Sequence, residues 1–147
     1  MMEKAREESV WRRVQEASTR EPETGLMPEQ VLLLMEQAQE DARCCRTLAA
    51  RTRARALARM AERAEANSRE LAAVYYIMTG RRPAPRSPHT PPQEPSLRRR
   101  YEAEQSAADR LEALSRADSP FTDLLRRQAE EHRENAREIL RLLQRML

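Results

Sequence analysis

Four polar residues that could do chemistry stand in the middle of apolar helix stripes. In each of the predicted helices that carry them, apolar residues recur every three or four positions, and a polar side chain takes the place of one. A buried polar group costs free energy unless it has a partner. The pattern therefore predicts a buried polar cluster, with a polar core residue that only sets helix register as the simpler alternative. The set is Asn67, Glu104, His132 and Asn135.

Glu104 and His132 are the ionisable members of this set. Carboxylate and imidazole groups can both bind metal ions. Most of the other charged residues can be assigned to outward helix faces. We therefore expect Glu104 and His132 to be the few ionisable side chains that point inward, and to form a buried pair flanked by Asn67 and Asn135.

Proline and glycine divide the chain into helical segments. A first unit at 1–20 carries a short amphipathic helix, and Gly80 is placed to end a later helix in the left-handed conformation. With 3% aromatic residues and two glycines, the composition favours an all-α fold over a sheet. The predicted helices span about 3–17, 28–52, 53–79, 97–116 and 121–147. The inner stripe of the second helix is Val31, Leu34, Ala38, Cys45, Leu48 and Thr52.

The segment 81–96 holds six of the nine prolines and reads as an extended connection. At about 3.1 Å per residue it reaches roughly 50 Å, whereas a helix of 25 residues is about 38 Å long. It is long enough to cross a whole bundle. The helices on its two sides also look alike, since 61–71 and 129–139 are identical at five aligned positions. Residues 28–147 are therefore predicted to form a four-helix bundle of two hairpins joined by a long crossover.

Charge and cysteine usage exclude several classes of protein. The 27 basic and 24 acidic residues leave a net charge of +3, too small and too evenly spread for a nucleic-acid binder. No apolar run approaches a membrane span, and the first residues lack the apolar core of a signal peptide, so we expect a cytoplasmic protein. Adjacent Cys44 and Cys45 cannot close an ordinary loop, and we expect unreactive thiols. The arginines at 98–100 are expected to be solvated.

Two helical hairpins, a long crossover and polar residues at mid-helix resemble the ferritin-like superfamily, in particular its rubrerythrin-like branch, over residues 28–147. In that family each hairpin supplies one Glu from its first helix and a Glu-x-x-His from its second, and together they hold two iron ions. Only Glu104 and His132 of this chain keep a ligand at a family position. The resemblance therefore implies a degenerate, vestigial di-iron site with no cofactor. The lost ligand positions are Ala38, Ala64, Asn67 and Asn135.

Three functions remain open at this point. The first is a non-catalytic structural or interaction protein, which the missing ligands favour. The second is a rubrerythrin-like oxidoreductase or iron-binding protein that uses Glu104 and His132. The third is a helical module that binds a protein or an acidic partner through arginine faces. The resemblance also implies a homodimer, and Trp11 is a candidate interface residue that packs either on the bundle or on a second subunit.

Overall fold

The computed structural model describes residue 11 and residues 25–84 and 94–147. These residues form four α-helices, and the described part of the chain contains no strand, which confirms the all-α prediction. None of the described helices is long and apolar enough to cross a membrane. The helix predicted at 3–17 lies outside the described residues except for Trp11. The four helices are α1 (Pro28–Thr52), α2 (Arg55–Thr79), α3 (Leu97–Ser115) and α4 (Thr122–Met146).

The helix ends follow from local chemistry. Gly80 ends α2 with φ of 71°, and its N–H donates to the carbonyl of Tyr76 at 2.7 Å, as the sequence predicts. Arg53 ends α1 in the same left-handed conformation, with φ of 58°. At the start of α3 the Ser96 hydroxyl accepts the backbone N–H of Arg99 at 3.1 Å. Each cap satisfies a backbone group that the helix leaves unpaired.

The four helices pack as two hairpins. α1 packs along α2, and α3 packs along α4, as predicted. Between the hairpins, α1 meets α3 and α2 meets α4. Because α1 and α2 are separated only by Arg53 and Ala54, they run antiparallel. The pairs α1/α4 and α2/α3 therefore lie across the bundle from each other.

Ion pairs fix the direction of α3 against α1. Arg51, in the last turn of α1, donates to the Glu94 carboxylate at 2.6 Å, just before α3 begins. Further into both helices, Arg100 donates to Asp41 at 2.7 Å. Residues later in α3 therefore contact residues earlier in α1, which makes the two helices antiparallel.

The connection between Thr79 and Leu97 joins opposite ends of the bundle. Since α2 and α3 are both antiparallel to α1, they run in the same direction, and the end of α2 lies far from the start of α3. The separation is close to the length of α2, whose 25 residues span about 37 Å. A tight turn cannot make this connection, whereas a segment of the length of 81–96 can.

The apolar core is divided into two parts by a polar layer. On every helix the residues of one apolar cluster lie toward one end and those of the other toward the opposite end. The polar layer lies between them, at Asp41, Asn67, Glu104 and His132. Thr52, which was expected on the inner stripe of α1, is exposed because it is the last residue of the helix. Among the described residues, the largest fully buried apolar side chains are Leu57, Met60, Leu71, Leu125 and Ile139.

The left-handed end of α1 leads to a stability prediction. A residue with a β-carbon costs roughly 1–2 kcal/mol in this conformation, and glycine avoids that cost. Arg53→Gly should therefore raise the free energy of unfolding by up to about 1 kcal/mol, measured by urea denaturation. The matched control is Arg59→Gly, an exposed position inside α2, which should lower it by about 1 kcal/mol. A loss of stability in Arg53→Gly would contradict the prediction.

Candidate functional site

Glu104 of α3 is the centre of a buried polar cluster, and its side chain is only 1% exposed. One carboxylate oxygen, Oε2, forms a hydrogen bond with His132 Nδ1 and accepts another from Asn135 Nδ2 at 3.3 Å. The other oxygen, Oε1, lies 3.2 Å from Arg100 Nε. The Nε–H of Arg100 does not point at an acceptor, so this contact is a charge attraction without a hydrogen bond.

Arg100 links the two hairpins through the protein interior. One turn before Glu104 on α3, its Nη2 donates to Asp41 Oδ1 on α1 at 2.7 Å. Both side chains of this ion pair are at least 96% buried. The same Asp41 oxygen also accepts from Gln37 Nε2 at 3.2 Å. The guanidinium therefore lies between two carboxylates that come from different hairpins.

Two asparagines complete the layer from α2 and α4. Asn135 donates to Glu104 and accepts from Arg63 Nη1 of α2 at 3.2 Å. Asn67 of α2 is 5% exposed and lines a small cavity together with His132 and Asp41. The structure thus places all four sequence-predicted residues in the buried layer, and side chains from all four helices meet there.

The charged groups of the cluster stabilise one another's charged forms. Burial disfavours the imidazolium, but the hydrogen bond and negative charge of Glu104 outweigh it and raise the pKa of His132 above its usual 6.5. Burial likewise disfavours the Glu104 carboxylate, but His132 and Arg100 outweigh it and lower that pKa below 4.5. Burial also opposes the charge of Arg100, yet Asp41 and Glu104 raise its pKa. Two carboxylates thus balance two cations.

The residues of this layer do not fit a pair of iron ions. All six positions that carry ligands in the ferritin-like pattern are buried, but Ala38 and Ala64 have no ligand atom. Glu104 and Asp41 already face the Arg100 guanidinium, which stays protonated in proteins. Among the described residues, no group of three or more His, Cys, Asp or Glu side chains is arranged to hold a metal ion. The positive charge beside the Glu104 and Asp41 carboxylates comes from Arg100 and His132.

Sequence reasoning missed Asp41 and Arg100. The expectation that the arginines at 98–100 are solvated is wrong for Arg100, which is 5% exposed, while its two neighbours are exposed. Glu104 and His132 are therefore not the only inward ionisable pair. The spacing carried the signal, because Asp41 follows Ala38 by three positions, and Arg100 precedes Glu104 by four, on the stripes that face the core.

Trp11 packs against the helix bundle of its own chain, and the two cysteines are unreactive thiols. Trp11 is 8% exposed and belongs to the core cluster of its own chain, with the Arg110 guanidinium 5.4 Å from its ring centre. Burial raises the pKa of Cys44, and raises that of Cys45 to about 12. Both cysteines are therefore thiols at neutral pH, and a thiol is a poor nucleophile.

Removing Arg100 should be strongly destabilising. Arg100→Met leaves Asp41 and Glu104 without their shared cation in a buried site, and such changes cost about 3–5 kcal/mol. Urea denaturation of the variant measures this cost. The matched control is Arg98→Met, which removes the same charge two residues earlier at an exposed position and should cost less than about 0.5 kcal/mol.

A double variant distinguishes the contribution of the ion pair to stability from that of side-chain packing. Asp41→Leu combined with Arg100→Met removes both the charge and its partner, so the double variant should be less destabilised than the sum of the two single variants. Equal costs for Arg100→Met and Arg98→Met would show that the buried pairs contribute nothing to stability.

The His132–Glu104 pair predicts a stability optimum in mildly acidic solution. A raised His132 pKa stabilises the fold fully below its usual 6.5, and this contribution is lost as the pH rises through the raised value. A lowered Glu104 pKa stabilises the fold fully above 4.5, and this is lost as the pH falls through the lowered value. The pair therefore contributes most between pH 4.5 and 6.5.

The free energies of unfolding of the protein and of His132→Gln, measured by urea denaturation from pH 4 to 9, test this expectation. The difference should be largest inside that window, at about 3 kcal/mol, and should shrink above it. His89→Gln, which removes the other histidine of the chain, controls for loss of an imidazole. A difference that grows with rising pH would contradict the assigned direction of the His132 shift.

Comparison with known proteins adds no assignment to these observations. No protein-family model, curated protein or solved structure matches this chain.

Proposed function

We propose that this chain is a ferritin-like bundle in which a buried ion-pair cluster stands in place of a di-iron centre, and that it works as a non-catalytic structural or interaction protein. The observation that carries the proposal is the position of Arg100, held between the carboxylates of Asp41 and Glu104. A guanidinium there supplies fixed positive charge where the family holds metal ions. The helix directions and the connection between opposite ends of the bundle support the ferritin-like part.

The protonation behaviour of the cluster supports a role without catalysis. A general acid or base works best with a pKa near the operating pH and with access to substrate. The pKa of Glu104 is lowered and that of His132 is raised, so near neutral pH both side chains stay charged and form an ion pair. Both are at least 91% buried as side chains. A buried pair that stays charged stabilises a structure more readily than it transfers protons.

The surface favours binding of another protein over binding of an acidic polymer. On α4, arginines pair with glutamates of the same helix, as in Arg137 with Glu134 and Arg141 with Glu138. Such pairing neutralises the helix face turn by turn, which weakens electrostatic attraction for an anion. Ile77, near the end of α2, is 69% exposed. A second copy of this chain is the partner that the ferritin-like proposal implies.

Iron binding distinguishes this proposal from a metal-dependent oxidoreductase. Protein purified without chelator is titrated with Fe(II) under anaerobic conditions and then exposed to air. We expect less than one iron per chain and no absorbance from oxidised iron, because the ligand set lacks the carboxylates that iron needs. About two irons per chain, with such absorbance, would overturn the proposal.

The matched variant for this titration is Glu104→Gln. It keeps the shape of the side chain but removes the carboxylate at the centre of the cluster. Residual iron that binds equally to the protein and to this variant lies outside the cluster. Iron that binds stoichiometrically to the protein and not to the variant would assign the site to Glu104 and support the oxidoreductase alternative.

A further inference from the structure

A small cavity lies beside the ion-pair cluster. It leaves about 20 Å³ for the centre of a water-sized molecule, which is room for one water. Its polar wall includes Asp41, Asn67, Gln128 and His132, and Arg110 also lines it, so that all four helices contribute. Most of the apolar part of the wall belongs to one of the two apolar clusters, so the cavity lies where that cluster meets the polar layer.

Two buried polar atoms of residues that line the cavity have unused hydrogen-bonding capacity. Asp41 accepts from Arg100 and Gln37 through Oδ1, but its second oxygen, Oδ2, has no partner among the described residues. Gln128 Nε2 is likewise without a partner there. Both residues are 1% exposed, so bulk water does not reach them. An unsatisfied buried donor or acceptor costs about 1–3 kcal/mol, which makes two in one place unfavourable.

We propose that this cavity is a binding site for a single water molecule that donates to Asp41 Oδ2 and accepts from Gln128 Nε2. Water fits the chemistry because the ligand needs both a donor and an acceptor. A metal or ammonium ion cannot accept from the Gln128 N–H, and a halide ion cannot donate to the Asp41 carboxylate. The space for the centre of a bound molecule, about 20 Å³, matches one water.

The water joins helices that lie across the bundle. Asp41 belongs to α1 and Gln128 to α4, whereas α1 packs mainly along α2 and also meets α3. Asn67 and His132, on the same wall, offer further partners, and buried waters typically make about three hydrogen bonds. Trp11, with Arg110 against its ring, closes another side of the cavity. The bound water thus adds a link between α1 and α4 to the polar layer.

The sign of a stability change tests this proposal. If the water is present, Gln128→Met removes one of its partners and should shift the urea midpoint to lower concentration. If the site is dry, the same variant removes an unsatisfied donor, and the midpoint should stay unchanged or rise. Leu111→Met, which changes an apolar wall of the same cavity, is the matched control for the shape of methionine. A midpoint for Gln128→Met at or above that of the unaltered chain overturns the proposal, and the midpoint of Leu111→Met shows how much of any fall comes from placing methionine on this wall.

A second measurement uses the unaltered chain and identifies the occupant. Crystals grown with rubidium chloride are examined for density in the cavity and for its anomalous signal. We expect one spherical peak within about 3.2 Å of Asp41 Oδ2 and of Gln128 Nε2, without an anomalous signal. An anomalous peak would show a cation, and absent density or a direct contact between the two side chains would show no site. Either result overturns the proposal.

Discussion

The buried guanidinium of Arg100 is the constraint on which the rest of the structure depends. Taking its charge and two carboxylates out of water is costly, and the cost is offset only where all three meet in the right geometry. Asp41 lies on the first hairpin, while Arg100 and Glu104 lie on the second. The hairpins therefore have one favourable register against each other. Apolar packing alone, on two similar alanine-rich stripes, would discriminate far less between registers.

The helices were predictable from the sequence, and the cluster only in part. Proline, glycine and the apolar spacing gave α1 to α4 nearly to the residue, because helix ends are local chemistry. Glu104 and His132 stood out since they replace apolar residues. Arg100 did not, because its partner Asp41 is 59 residues away, and a long side chain near a helix end can reach solvent as readily as the core. In a chain with 35% charged residues, position on a stripe does not by itself identify an inward charge.

The cluster changes what the interior of this bundle can do. Six positions that would surround metal ions in a ferritin-like site are buried here, yet Ala38 and Ala64 hold no polar atom, and Glu104 bonds to His132 and Asn135. Charge balance is achieved with side chains alone. The positive charge of the cluster is covalently part of the chain, in Arg100 and His132.

The chain contains one tryptophan, and Trp11 lies against the wall of the polar cavity. Its fluorescence therefore originates from a single place, next to the layer that joins the two hairpins. Circular dichroism, in contrast, averages over all the helices. An emission change that precedes the loss of helical signal on heating would mean that Trp11 leaves the bundle before the helices melt. This one native residue thus reports its own release from the bundle without any added label.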